Sequence, residues 1–554
     1  MSPIGRRSVR VQIELLYINI SQGVNNTKAG ITQISLYSKV LPFPPAVRGD
    51  HSTSNLHLPV KNSFRKKTLS LLLDEMNSEQ RLNRVLGPVA LTSLGVGAII
   101  GTGIFVLIGV AAHDKAGPAV TLSFALAGLA CVFAALCYAE FASMAPVAGS
   151  AYTYAYATLG ELFAWIIGWD LILEYAVASA TVAHGWSHYF QDFIGIFGLR
   201  IPEIFSRAPL DFDLATGSLV LTGSLFDLPA VLIALVVTAV LIKGIRESAG
   251  FNTAMVIVKV AIVLLVIVLG AQYVKPENWQ PFAPFGYSGL SVFGHTILGE
   301  SGPGGAPIGV LAGAAMIFFA YIGFDSISTH AEEARRPERD VPIGIIASLI
   351  ICTVLYIVMA AVITGMVPYD QINIDAPVSN AFKQVGLGWA QLLVSLGAIT
   401  GITSVLLVMM LSQPRIFLAM ARDGLLPKKF FGAVHPRFKT PFNATILTGI
   451  FVAILGAFLP LRLLAELVNI GTLFAFVVVC TAVLIMRRTN PDAERPFKAP
   501  LVPFVPIAGI LTCLLLMFSL PAENWWRLIV WLVIGFGIYF FYGRHHSVLN
   551  QRRD

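Results

Sequence analysis

The nine residues GAIIGTGIF, Gly97 to Phe105, decide how the chain is read. They lie in the middle of an apolar run from about Pro88 to Ala112, long enough to cross a bilayer, yet they include three glycines and a threonine. Glycine weakens a helix, and two glycines flanking a hydroxyl residue make it easy to unwind. Gly97, Gly101 and Gly109 recur at multiples of four, a spacing that also suits close helix packing. Packing accounts for Gly97. It does not account for Gly101-Thr102-Gly103, because a helix broken inside a membrane frees backbone donors and acceptors. Such a break is tolerated only where those groups line a cavity or are buried in protein.

The rest of the chain supports a membrane setting. Of 554 residues, 56% are apolar and 12% charged, and the mean hydropathy is +0.74, far from a soluble-domain average. A hydrocarbon core of about 30 Å needs roughly 20 helical residues. Apolar segments of that kind recur at about 88–112, 117–139, 161–190, 227–242, 251–271 and 308–329, and again at 342–366, 387–411, 443–460, 464–486, 501–520 and 527–543. The fold class predicted is therefore an all-α polytopic membrane protein with twelve transmembrane helices, of which 227–242 and 443–460 are the shortest. Cys131, Cys137, Cys352, Cys480 and Cys513 all fall within spans, form no metal-ligand spacing and read as small buried side chains. No nucleophile–base constellation or metal cluster points to an enzyme. No span carries the regular polar stripe of a channel.

Lysine and arginine accumulate on the cytoplasmic side of a membrane. With the basic stretch 1–85 inside, the inner connections collect Lys243 and Arg246, then Arg335, Arg336 and Arg339, then the basic residues from Arg415 to Lys439 and from Arg487 to Lys498. The opposite connections hold scattered residues such as Lys115, Lys275 and Lys383. Both termini are expected in the cytoplasm, and the formal charge of +7 needs no nucleic acid. Residues 1–85 contain no span-length apolar run and no cleavable signal, and read as a largely disordered arm.

A second interruption comes five spans after the first, in IFFAYIGFDSISTHAEEARRPERDVPIGI, Ile317 to Ile345. Gly323 follows aromatic and small residues, Asp325 closes the apolar part, and Pro342 reads as the start of the next span. Weak centres in spans one and six are what two inverted five-helix repeats produce. This divides the chain into the arm 1–85, a first repeat 86–272, a second repeat 273–486, two further helices in 487–543 and a tail 544–554. Two residues stand out within spans, because charge at bilayer depth is costly and marks function. One is Lys259, about 12 Å into its span. The other is Glu174 in GWDLILEY, one turn beyond Asp170.

Four blocks carry a family resemblance: LGVGAIIGTGIFVLIG from Leu94, CYAEFASMAPVAGSAYTYAYATLGELFAWIIGWDLILEY from Cys137, FFAYIGFDSISTHAEEARRPERDVPIGI from Phe318 and QPRIFLAMARDGLLP from Gln413. From about Phe64 to Gly543 the chain resembles permeases of the amino acid–polyamine–organocation superfamily, and within it the bacterial relatives of cationic amino acid transporters. The resemblance implies secondary transport of an amino acid across the plasma membrane, the inner membrane of a bacterial cell, by alternating access. It implies a proton as coupling ion, independence of sodium, and no metal or other cofactor. Amino acid exchange without net proton coupling stays open, as does a neutral rather than a cationic substrate.

The resemblance also implies residue roles. The substrate carboxylate falls to backbone amides of Ile100, Gly101, Thr102, Gly103 and Ile104, and free N–H groups at a helix start do form an anion site without any side-chain cation. The α-ammonium falls to carbonyls of Ile99 or Ile100 and of Phe318, Phe319 and Ala320, with Ile322 beside them. The substrate side chain points toward spans three, six and eight, where Glu174 would favour a cationic group. Lys259 stands where sodium-coupled relatives bind sodium, with a carbonyl near Gly97 and the hydroxyl of Thr403 or Ser404 as neighbours. Glu332, Glu333, Arg336 and Arg415 form an inner gate of ion pairs. Membrane lipid surrounds the bundle. There is room for a small accessory membrane subunit, and the oligomeric state is left open.

Overall fold

The computed structural model describes residues 65–67, 86–147, 149–213, 218–243, 248–292, 295–302, 305–436 and 440–551. Apart from residues 65–67, the expected basic arm lies outside the described residues, as do 552–554 of the tail. Among the described residues eight helices are long and apolar enough to cross a membrane, which makes this an all-α polytopic membrane protein. Four further apolar helices are shorter: Pro88–Ile99, Leu228–Lys243, Phe442–Phe458 and Phe504–Met517.

Helix α1 (Pro88–Ile99) starts on a proline, whose fixed φ suits the first turn, and ends where Ile100 turns extended. Beyond Gly101 and Thr102 the helix resumes through two π-helical turns, Gly103–Leu107 and Ala112–Ala116, that flank α2 (Ile108–Ala111). Then come α3 (Val120–Met144), a short linking helix α4 (Ser150–Thr158), and α5 (Glu161–Ile196), with 36 residues the longest. Next are α6 (Leu228–Lys243) and α7 (Ser248–Gly270). Helix α8 (Val310–Ile317) passes through a 3-10 turn, Phe318–Tyr321, before α9 (Ser326–Thr329). The remainder is α10 (Pro337–Met366), α11 (Pro377–Gln384), α12 (Gly388–Arg422), α13 (Lys428–Phe431), α14 (Phe442–Phe458), α15 (Leu461–Thr489), α16 (Phe504–Met517) and α17 (Ala522–Ile538). The short α18 (Arg544–His546) and α19 (Val548–Gln551) follow.

Among the described residues three antiparallel strand pairs sit in the connections, beyond what the sequence led one to expect: β1 (Leu210–Asp213) with β2 (Ser218–Leu221), β3 (Leu290–Val292) with β4 (His295–Leu298), and β5 (Glu300–Ser301) with β6 (Pro307–Ile308). A further correction concerns Pro342, which does not start a helix. Helix α10 begins at Pro337, where a missing N–H costs nothing, and Pro342 sits inside it, giving up one hydrogen bond near the start of a 30-residue helix. Helix α12 likewise continues through Pro414 to Arg422, well past its expected end near 411.

Burial separates core from rim. The most apolar window of Val310–Thr329 is 94% buried, against 28% for Thr253–Tyr273 and 22% for Ala522–His546. Ile257, Leu264 and Val268 on α7, and Val530, Val533 and Ile534 on α17, are exposed apolar side chains of the kind lipid tails cover. The two long helices α5 and α12 pack along each other at the centre, and α3 packs on α10.

At the end of the bundle where α5 begins, Glu161 is completely buried. It accepts hydrogen bonds from Tyr156 Oη (2.9 Å), Tyr539 Oη (3.0 Å), Asn550 Nδ2 (3.0 Å) and Ser547 Oγ. Such a carboxylate is sustainable because these donors replace water. Residues 65–67 join the same cluster: Glu161 N–H donates to Arg65 O (3.0 Å) and Lys67 Nζ pairs with Asp423 (3.0 Å).

Candidate functional site

The two broken helices meet. A Cβ built on Gly103 would overlap Ala320 Cα of the second break, and one built on Gly101 would stand 2.6 Å from Val405 Cγ2 of α12. Glycine at these two places is what allows the approach. In the second break Gly323 has φ of +125°, a conformation that L side chains rarely adopt, and it packs against the carbonyl of Ala98.

Unwinding leaves backbone groups to be satisfied. Ile104 and Phe105 N–H both reach Gly101 O (3.2 and 3.1 Å), whereas the N–H groups of Gly101, Thr102 and Gly103 find no backbone acceptor among the described residues. They sit where the helix restarts, at the positive end of its dipole, so they favour an anion. The carbonyls at the end of α1 are held instead. Lys259, on α7 and 0% exposed, donates to Gly97 O, to Ile100 O (2.9 Å) and to Ser404 Oγ (2.8 Å), using all three ammonium donors. Thr403 is not part of this arrangement: its hydroxyl receives Trp186 Nε1 (2.9 Å) and donates to Ile399 O. The cause is register, since Thr403 and Ser404 are adjacent on one helix and face different neighbours.

Tyr356 of α10 stands between the breaks, with its hydroxyl 2.8 Å from Ile99 O and 3.1 Å from Ala320 O. Asn469 of α15 donates to Ala315 O and Met316 O, both at 2.9 Å, just before the second break. Asp325 accepts from Tyr175 Oη (2.8 Å) and from Gly323 N–H (3.2 Å). None of Tyr356, Asn469 and Tyr175 was singled out from sequence. Each is a polar side chain within an apolar helix, and that signal was available.

Between the breaks lies a cavity lined by Ala98, Ile99, Gly101, Thr102, Gly103, Val182, Phe319, Ile322, Val405 and Met409. It holds about one water molecule as it stands, which is smaller than an amino acid. Thr102 Oγ1 is buried with no hydrogen-bond partner among the described residues. Of the expected binding residues, Ile99, Gly101, Thr102, Gly103, Phe319 and Ile322 border the cavity. Ile100, Ile104, Phe318 and Ala320 are buried beside it, Phe318 edge-on to Phe476 at 5.6 Å. Glu174 does not border it. Its carboxylate is buried near Asp170, Asp325 and Thr472, and neither oxygen has an aligned hydrogen bond among the described residues.

Of the expected gate residues, Glu333 and Arg415 pair at 3.0 Å with about a fifth of each side chain exposed. Arg336 is exposed and offers its backbone N–H to Asp340, while the Glu332 side chain lies outside the described residues. The segment before α1 closes on the same loop: Leu86 N–H donates to Glu333 O (3.0 Å) and Arg335 N–H to Leu86 O (2.8 Å).

Two helices interrupted at one depth, freed amides facing a small cavity and a buried ammonium on the neighbouring helix define a membrane transporter of the broken-helix class. The chain belongs to the amino acid permease family, which its residues 86–539 match, within the amino acid–polyamine–organocation superfamily. It is 47% identical over 488 residues to the methylthioribose transporter of Bacillus subtilis and 48% identical over 489 residues to the branched-chain amino acid permease BcaP of the same organism. Each alignment covers 88% of this chain and 99% of the relative. It is 33% identical over 602 positions to the vacuolar cationic amino acid transporter 4 of Arabidopsis thaliana, covering 88% of this chain and 96% of that one. Family and architecture support secondary transport of amino acids across a membrane, the work of a transporter and not of an enzyme.

Proposed function

We propose that the chain carries a neutral amino acid with an apolar side chain across the plasma membrane by alternating access, coupled to a proton and independent of sodium. The observation that carries this reading is the cavity. Gly101, Thr102 and Gly103, with their free amides and the Thr102 hydroxyl, belong to its lining, while Val182, Phe319, Ile322, Val405 and Met409 make up most of the remainder. The amides suit a carboxylate, and the carbonyls of Ile99, Phe318, Phe319 and Ala320 have lone pairs for an ammonium. The apolar side chains suit a branched aliphatic or thioether group. With Glu174 outside the lining, no carboxylate borders the cavity to select a cationic side chain.

Twelve spans follow if α1 with α2, and α8 with α9, each count as one broken span and the short α6, α14 and α16 are included. Spans one to five and six to ten then form two inverted repeats. The basic connections face the cytoplasm, and with them both termini. Glu333 and Arg415 close the inner side. A protonated Lys259 ties α1 to α12, and loss of its proton releases the carbonyls of Gly97 and Ile100 so that α1 can tilt.

The relative named for branched-chain amino acids agrees with the apolar lining. The one named for methylthioribose supplies a second reading, since that thioether sugar has no carboxylate for the free amides. Uptake of labelled leucine into proteoliposomes under an inward proton gradient, with choline replacing sodium, tests the reading. Isoleucine, valine and methionine should compete, while arginine and lysine should not. Competition by methylthioribose alone favours the second reading, and dependence on sodium rejects the coupling.

A further inference from the structure

We propose that His184 and His188, with Asp227 and Asp375, form a second proton-binding site, separate from Lys259, which fastens the loop 373–379 over the restarted half of the first broken helix. The two histidines are one turn apart on α5 and their rings lie 4.9 Å from each other. His184 Nδ1 is 2.8 Å from Asp227 Oδ2, and His188 Nδ1 is 3.4 Å from Asp375 Oδ1. Neither nitrogen, nor Asp227 Oδ2, has an aligned hydrogen bond among the described residues. The other oxygen of Asp227 is occupied by Ser187 Oγ (2.7 Å) and by Ala230 N–H (3.0 Å) at the start of α6, so this carboxylate is fixed in place. Asp227 is wholly buried, whereas 64% of the Asp375 side chain is exposed. The exposed carboxylate gives water access to the His188 end of the cluster.

The loop that carries Asp375 connects two parts of the transport machinery. Asn373 Oδ1 accepts the N–H groups of Asp375 and Ala376 and shapes the turn. Asn373 O and Pro377 press on Gly109 of α2, where an added Cβ would stand 2.6 Å from Pro377 Cβ. Ser379 donates to Asp192 of α5 (2.9 Å). A proton taken from water onto His188 Nδ1 turns the contact with Asp375 into an imidazolium–carboxylate pair, which holds the loop to α5 and therefore over α2. When the proton returns to water, the attraction falls to that of a neutral ring. Asp227 provides a second negative charge that offsets the imidazolium.

The other charged and polar groups around the pair leave this balance in place. Asp192 is on the same helix and engaged by Ser379, Ser395 and Gln391. Lys383 on α11 is exposed, as are Glu203 and Arg207 in the loop that reaches Gln191 through Ser206. Helix α14, packed on α5, contains no ionisable residue.

Hydrogen–deuterium exchange of the full-length protein in detergent tests the site, with no need of substrate or of membrane orientation. Amides of 372–380 are followed from about pH 8 down to about pH 4.5, well below the ordinary imidazole value of about 6.5, and corrected for intrinsic rates. The wild type should show about threefold greater protection at the acid pH, the scale of a part-exposed ion pair. H188Q and D375N should each abolish the difference, and the exposed Asp375 makes D375N the variant that keeps its fold. No acid-dependent protection in the wild type, or its persistence in D375N, overturns the proposal.

Discussion

In the first break the carbonyls of Gly97 and Ile100 are held by an ammonium from α7. In the second, those of Ala315, Met316 and Ala320 are held by the amide of Asn469 and the hydroxyl of Tyr356. Apart from Asp325, which accepts Gly323 N–H, no carboxylate or cationic side chain bonds to residues 317–325 among the described residues. Gly323 also turns the chain through a backbone angle that few residues can copy. One break can therefore be altered by moving a single proton, and the other is set by stereochemistry and largely uncharged hydrogen bonds. On the proposed coupling, the first is the half that yields and the second the half against which it moves.

The largest effect is expected where the breaks touch. Gly103→Leu drives a branched side chain into the Ala320 backbone and should leave no measurable substrate binding in protein that remains monodisperse. Wild-type affinity in that variant would mean that the two breaks do not share one site. Lys259→Ala should come next. Because it removes the titratable holder but not the cavity, binding and counterflow should survive, while accumulation under a pH gradient should fall to simple equilibration. Unchanged proton-driven accumulation would make Lys259 a structural residue and erase the contrast between the breaks.

Tyr356→Phe should be milder. It removes one buried hydroxyl shared by the two breaks, worth about 1 kcal/mol or about fivefold in affinity, and should leave the pH dependence of uptake as it was. A shifted pH profile would show that the second break also takes part in coupling. The smallest effect is expected for Glu174→Gln: leucine uptake should change by less than about twofold and lysine should remain a non-competitor, because the carboxylate lies off the cavity. Competition by lysine that the wild type shows and this variant lacks would return Glu174 to the side-chain end of the pocket.

What the sequence disclosed follows from the range of the interactions concerned. Gly101-Thr102-Gly103 and Gly323 announce breaks because helix weakness is a local property, written in neighbouring residues. The positions of apolar runs announce helices for the same reason, and the structure places a helix or a broken pair in every one of those segments. Val182, Val405 and Met409 were illegible: each is an apolar residue in an apolar helix, and only the packing of α5 and α12 turns it toward the cavity. Thr403 and Ser404 are equivalent in sequence and differ only in the direction that helix rotation gives them. Helix α10 misled because two prolines, Pro337 and Pro342, can both start a helix; the structure starts it at the first, three residues after Ala334 pairs with the distant Leu86. The hairpins escaped notice because short strands outside the bilayer lack a long periodic pattern.

Glu161 gives the far end of the sequence a place in the interior, with practical weight for anyone who handles the protein. Two of its four side-chain donors, Ser547 and Asn550, come from the segment after α18. Trimming back to His546 would strip both from a buried carboxylate, at about 1–3 kcal/mol for each lost partner. A purification handle attached beyond Gln551 hangs from an anchored stalk, and a protease directed at Ser547 meets backbone already docked against Gly543 and Asp423. Shortening the tail to aid crystallisation would therefore reduce detergent tolerance, and a handle is better carried past these residues than substituted for them.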